Sequence, residues 1–142
     1  MRVKEVMSKN PEYLPPTAGV KEAVDKMVKL DCGFIPVGEN DKLIGTVTDR
    51  DIVIRSVGKG KDPTSIKVQD IMTKHVLYCY EDDDIDKIAR NMSENQVRRL
   101  IVLNKDKRMT GIISLGDIAR KCHDENLCGR ALEGISEEEK RH

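Results

Sequence analysis

The chain has 142 residues, enough for one ordinary domain or two very small units that share a core, and too few for a large multidomain enzyme. Lysine plus arginine and aspartate plus glutamate each number 25, so the formal net charge is zero and no global pull toward nucleic acid or an acidic membrane surface is expected. One phenylalanine, three tyrosines and no tryptophan also leave too little aromatic surface for a single-stranded nucleic-acid platform. The opening MRVKEVMSKNP lacks the apolar stretch of a secretory signal, and no run approaches the roughly eighteen apolar residues of a membrane span, so a cytoplasmic location is expected.

In chain order, the segment from Val20 places Val20, Ala23, Val24, Met27 and Val28 at helical spacing. Two short β-prone runs follow, Phe34 to Val37 and Leu43 to Thr48, separated by GENDK as in a hairpin. A helix then starts near Asp49, with Thr48 as a natural N-cap. The stretch RSVGKGKDPTSIK, rich in glycine, proline and charge, reads as a linker. The same order then returns. Ile85, Ile88, Ala89 and Met92 repeat the helical spacing, Leu100 to Leu103 and Met109 to Ser114 repeat the hairpin, and a helix begins near Leu115 behind Ser114. The tail after Cys122, including GISEEEKRH, looks like a frayed polar helix or disorder.

The return is a true internal repeat. A shift of 65 residues carries VKEVMSK at Val3 onto VQDIMTK at Val68, Met7 onto Met72, Tyr13 onto Tyr78, Met27 onto Met92 and Val37 onto Val102. One inserted residue then makes the shift 66, which superposes Gly45 on Gly111, Thr48 on Ser114, Asp51 on Asp117 and Ile52 on Ile118. A strand, a crossover helix and a hairpin predict that the first strand lies parallel to the second and the third antiparallel. Each half is marginal alone, so the expected fold class is α+β, with two β-α-β-β-α units packed sheet to sheet as one pseudo-twofold module. The expected divisions are 1–62, 63–125 and a polar tail, 126–142.

GTVTDRD at Gly45 and GIISLGD at Gly111 carry the most chemistry. Each brings a strand end, a helix N-terminus, a hydroxyl and a carboxylate together. The N-terminus favours phosphate, Thr48 or Ser114 adds a hydroxyl, and Asp51 or Asp117 is suited to accept hydrogen bonds from the vicinal hydroxyls of a ribose. The same spacing is also close to a simple capping box.

These motifs, with PPTAGVKEAV, CGFIPV and LIGTVTDRDI, resemble CBS domains, and the tandem resembles a Bateman module over Val3 to Cys122. The resemblance implies a non-catalytic regulatory module that binds an adenosine-containing ligand (AMP, ADP, ATP, NAD or S-adenosylmethionine) in the clefts between repeats and signals to a protein partner. It implies that Asp51 and Asp117 hold ribose, and that Thr48 and Ser114 support phosphate. Backbone around Pro15, Pro16 and Thr17, or Tyr80 and Glu81, would meet the base. Ile35 and Pro36, or Leu100 and Ile101, would wall the adenine. It also implies a homodimer. The alternative is a ligand-free interaction and dimerisation module.

Arg50, Arg98 and Arg99 are the cations placed near phosphate, since a guanidinium fork matches phosphate oxygens; surface charge is the competing reading. The second copy departs from the family pattern with Leu100-Ile101-Val102 and with the acidic run Glu81 to Asp84, so the two clefts are expected to be unequal. GKGKD at Gly58 lacks the spacing of a phosphate loop. Cys122, His123 and Cys128 lack a fourth ligand at metal-site spacing, and His75 and His142 stand apart, so neither a metal, a catalytic cofactor nor an enzyme is expected.

Overall fold

In the computed structural model, which describes residues 1–137, both repeats fold as their periodicity predicts, but the chain exchanges a segment between them. The chain opens with a helical turn, α1 (Val3–Val6), and a two-residue strand, β1 (Ser8–Lys9). The first repeat then supplies α2 (Val20–Leu30), β2 (Phe34–Glu39), β3 (Lys42–Thr48) and α3 (Asp49–Arg55). The second supplies β4 (Tyr78–Tyr80), α4 (Ile85–Asn95), β5 (Arg99–Leu103), β6 (Met109–Ser114) and α5 (Leu115–Lys121), followed by α6 (Glu125–Ser136). The fold is mixed α+β, with two copies of one unit. Among the described residues no helix is long and apolar enough to cross a membrane.

One compact unit is Glu12–Val76. Its sheet is the antiparallel pair β2–β3, with Phe34 opposite Thr48 and Pro36 opposite Thr46. The strand expected before α2 shrinks to a single parallel bridge, Leu14 with Val37, because Pro15 and Pro16 follow and have no N–H to continue a ladder. Helix α2 lays Val20, Ala23 and Met27 on Ile35, Val37, Val47 and Ile52. Val68 and Ile71 complete this core.

The other unit joins Met1–Pro11 to the chain from Leu77 onward. Its sheet has the order β1-β6-β5-β4, with β4 parallel to β5 and the other pairs antiparallel, as a strand–crossover–hairpin order requires. Val3, Val6 and Met7 enter a core with Ile85, Ile88, Met92, Leu100, Val102, Ile113 and Ile118. The units therefore part from a boundary at residue 62: each repeat's opening segment completes the core of the other repeat. Burying three such side chains contributes about 1.5–3 kcal/mol each.

The two crossover helices stop in the same way. Asp31 after α2 and Gln96 after α4 are repeat equivalents, both left-handed (φ 51° and 54°), and each N–H returns to the last turn of its helix.

The tail expectation needs correction. Helix α6 is capped by Asp124, whose carboxylate accepts from the Leu127 N–H at 3.0 Å, and buries Ala131, Gly134 and Ile135. Gly134 is required where it lies, since a Cβ there would overlap the Ser93 side chain of α4. Spacing of i, i+3 and i+4 makes this apolar edge a packed face rather than a frayed end. Residues 138–142, including His142, lie outside the described residues. Cys79, on the core side of β4, has its thiol pushed up to about 12 by burial, with the nearby Asp83 charge adding to it.

Candidate functional site

At the end of β3 the backbone of Thr48 is still extended (φ −116°, ψ 162°), and α3 begins at the next residue. The Thr48 Oγ1 accepts from the Asp51 N–H at 3.0 Å, and the Thr48 N–H donates to Asp51 Oδ2 at 3.0 Å. Ser114 and Asp117 reproduce this at the start of α5, with both bonds at 3.0 Å and a backbone at φ −117°, ψ 160°. The motif is thus a complete capping box in each repeat, a device that contributes about 1 kcal/mol per helix. The box uses only one carboxylate oxygen. Oδ1 of each aspartate remains beside the helix N-terminus, on side chains only 14% and 8% exposed for Asp51 and Asp117.

Strand alternation decides which predicted wall residues share that side of the sheet. Pro36 is opposite Thr46, and Phe34 is opposite Thr48, so these four lie on the face turned from the Ile35–Val37–Val47 core. In the second unit Arg99 is opposite Ser114 and Ile101 opposite Ile112 and Tyr78, again away from the core of Leu100, Val102 and Ile113. Ile35 and Leu100 are therefore corrected: both side chains are committed to hydrophobic cores and cannot wall a ligand on the face that carries Thr48 or Ser114. Phe34, Thr46, Tyr78 and Ile112 lie on the same face of the strands as Thr48 and Ser114. The rings of Tyr78 and Tyr80 meet edge to face with centroids 5.8 Å apart.

The predicted backbone contacts are partly spent within the fold. The Leu14 N–H donates to the Pro36 carbonyl and the Leu14 carbonyl accepts from Gly38, while the carbonyls of Pro15 and Pro16 accept from Ala18 and Gln69. Thr17 is exposed. In the second unit the Tyr80 N–H is held by Asp83 Oδ2 at 2.9 Å, and the Glu81 N–H donates to Leu103. The acidic run is structural: Asp82 pairs with Lys4 and Arg2, Asp83 also pairs with Lys87, and Asp84 caps α4. Lys4, first, and then Arg2 draw the Asp82 carboxyl below its usual range. Arg50, Arg98 and Arg99 are all exposed.

The motif glycine has a different task from the one its place beside Thr48 suggests. A Cβ on Gly45 would stand 2.7 Å from the Thr73 carbonyl and 2.8 Å from Met72 Sδ. One on Gly111 would stand 2.7 Å from the Ser8 carbonyl and 2.5 Å from Met7 Sδ. Both glycines admit the exchanged segment. A basic residue then fastens it: Arg55 donates to the Ile71 carbonyl at 2.9 Å and its repeat equivalent Lys121 to the Val6 carbonyl at 2.9 Å. Sequence reasoning missed these two, and also Arg120, which donates to Asp117 Oδ1 at 2.8 Å. The signal for all three was a cation within one turn of each aspartate. Among the described residues no group of three or more histidine, cysteine, aspartate and glutamate side chains could hold a metal ion.

Comparison with known proteins agrees with this fold. The CBS domain pattern matches residues 3–58 and 68–124. The uncharacterized protein YlbB of Bacillus subtilis (strain 168) is 37% identical over 142 residues, covering 99% of this chain and 95% of its own. Among solved structures, the CBS domain pair of MJ0100 in complex with 5′-methylthioadenosine and S-adenosyl-L-methionine is similar at a TM-score of 0.75 and 27% identity, over 87% of this chain and 96% of that one. CBSX2 in complex with AMP is similar at 0.73 and 26%, over 88% and 98%. The chain belongs to the CBS-domain family and carries two copies of the domain.

Proposed function

We propose that this chain is a cytoplasmic, non-catalytic regulatory module that binds an adenosine-containing ligand at the Thr48–Asp51 and Ser114–Asp117 sites and passes the bound state to a protein partner. The observation that carries the reading is the doubled junction, in which a helix N-terminus, a hydroxyl and a carboxylate oxygen that the capping box does not use stand at the end of a strand. A capping box needs only Oδ2, so the second oxygen of a shielded carboxylate can accept from a vicinal diol, at Asp117 in place of the Arg120 guanidinium. The complexes of MJ0100 and CBSX2 with adenosyl compounds support the ligand class. Calorimetry with AMP, ATP, NAD and S-adenosylmethionine tests it. Asp51→Ala and Asp117→Ala should each remove a different share of the binding, with losses of about 1.5–3 kcal/mol for a charge-assisted hydrogen bond, or roughly tenfold to a hundredfold in affinity. Since alanine also removes half of a cap, Asp51→Asn and Asp117→Asn are measured beside them. Absence of binding to all four at millimolar concentration favours the ligand-free interaction module.

Self-association belongs to the same reading, and the repeat indicates where. Helix α6 packs on α4 with Gly134 against Ser93, and Asp86, Ala89, Arg90 and Ser93 of α4 line a cavity beneath it. The equivalent residues of α2 are Lys21, Val24, Asp25 and Val28; Val28 is 76% exposed, and after α3 its own unit has two short 3-10 turns, Val57–Lys59 and Val68–Asp70, with no counterpart of α6 among the described residues. Lys21 pairs with Asp25 on its own helix, so two copies of this neutral face can meet and exchange partners reciprocally. Light scattering should therefore give twice the 16.0 kDa chain mass, and Val28→Glu should return it to one. A native chain that stays monomeric at all micromolar concentrations contradicts this.

A further inference from the structure

The two capping boxes make the same bonds, and the helices behind them differ in where an arginine stands. A shift of 66 residues carries Arg50 onto Gly116 and Ile54 onto Arg120, so the arginine has moved from the first turn of the helix to the second. The vacated glycine position is where the guanidinium comes to rest, for a Cβ on Gly116 would stand 3.1 Å from Arg120 Nη1. From there Arg120 Nη2 donates to Asp117 Oδ1 at 2.8 Å, on the oxygen that the capping box leaves over. In the first repeat the corresponding ion pair is looser. Arg55 stands 3.8 Å from Asp51 Oδ1 and spends its Nη1 on the Ile71 carbonyl and the Thr73 hydroxyl. Asp51 Oδ1 thus has only a long ion pair, whereas Asp117 Oδ1 accepts a direct hydrogen bond from a side chain that is itself 68% exposed.

We propose that Arg120 is the specificity-determining residue of the second site, making it selective for adenosine ligands that carry a phosphate over uncharged ones. This rests on the nucleotide reading above. A ribose can reach Asp117 Oδ1 only by displacing the guanidinium. An uncharged nucleoside leaves that cation without its anion, and the separation is charged against binding. A phosphate on the same ligand offers replacement oxygens in the two-point geometry a guanidinium matches. The first site, where the cation stands 3.8 Å from Oδ1 and donates its hydrogen bonds elsewhere, discriminates less.

The test is equilibrium dialysis with adenosine and with AMP, on the native chain and Arg120→Gln, each alone and combined with Asp51→Ala to silence the first site. In the Asp51→Ala background the preference for AMP should exceed about tenfold, and Arg120→Gln should reduce it to less than about threefold, chiefly by tightening adenosine. Arg120→Lys should restore only part of the preference, since a point charge lacks the fork. Far-UV melting checks that Asp51→Ala is folded; if it is not, the single Arg120→Gln chain is fitted with two sites, and only the tighter-discriminating component should change. An unchanged ratio overturns the role of Arg120 and leaves the nucleotide reading standing. A native chain that binds neither compound overturns both.

Discussion

Deleting residues 1–9 is expected to abolish the cooperative unfolding of the unit that carries the second repeat, although none of those residues belongs to that repeat. The segment contributes Val3, Val6 and Met7 to its core, all buried. At about 1.5–3 kcal/mol per side chain the loss is about 5–9 kcal/mol, comparable with the entire 5–15 kcal/mol that holds a small domain together. The deletion also removes β1, which pairs Ser8 with Ile112 and Lys9 with Gly111, and so bares the edge of β6. Hydrogen exchange should show the amides of β5 and β6 losing protection, and circular dichroism should show the loss of structure. A truncated chain that melts within a few degrees of the native one contradicts the exchange of segments.

The reciprocal experiment addresses the other unit. Ile71→Ala should cost about 2–5 kcal/mol, because Ile71 is 2% exposed and its removal leaves a cavity among Leu14, Ile35, Val47 and Val68. The repeat would assign Ile71 to the second half, as the equivalent of Val6. Hydrogen exchange decides between the assignments: Ile71→Ala should lower protection first in β2 and β3, and Val6→Ala first in β5 and β6. The opposite pattern would show that the segments dock on their own repeats.

That exchange was the main feature the sequence concealed, and the reason is physical. Val3, Val6 and Met7 and their equivalents Val68, Ile71 and Met72 carry the same apolar pattern, so either core accepts either segment and self-similarity cannot say which one receives it. The helices α2 and α4, the two hairpins and the caps at Thr48 and Ser114 were legible, because a period of 3.6, a period of 2 and a hydroxyl before an apolar run are local signals. The misplacing of Ile35 and Leu100 was avoidable: Ile35 and Pro36 are neighbours in a strand and cannot point to one face. Arg120 escaped notice for a different reason. Comparing the repeats for what they share passes over the single helix position at which an isoleucine has become an arginine.

The order in which the chain is made also follows from the exchange. Residues 12–76 are contiguous, so that unit has all its parts as soon as they have been synthesised. The opening segment is partnered by Gly111 and Ile112, about a hundred residues later. At about 5–20 residues per second, Val3, Val6 and Met7 wait roughly 5–20 seconds before their seat exists. Through that interval Val3, Val6 and Met7 lack the core that buries them, which gives nascent-chain chaperones a defined target and places a hazard of misassembly on this segment.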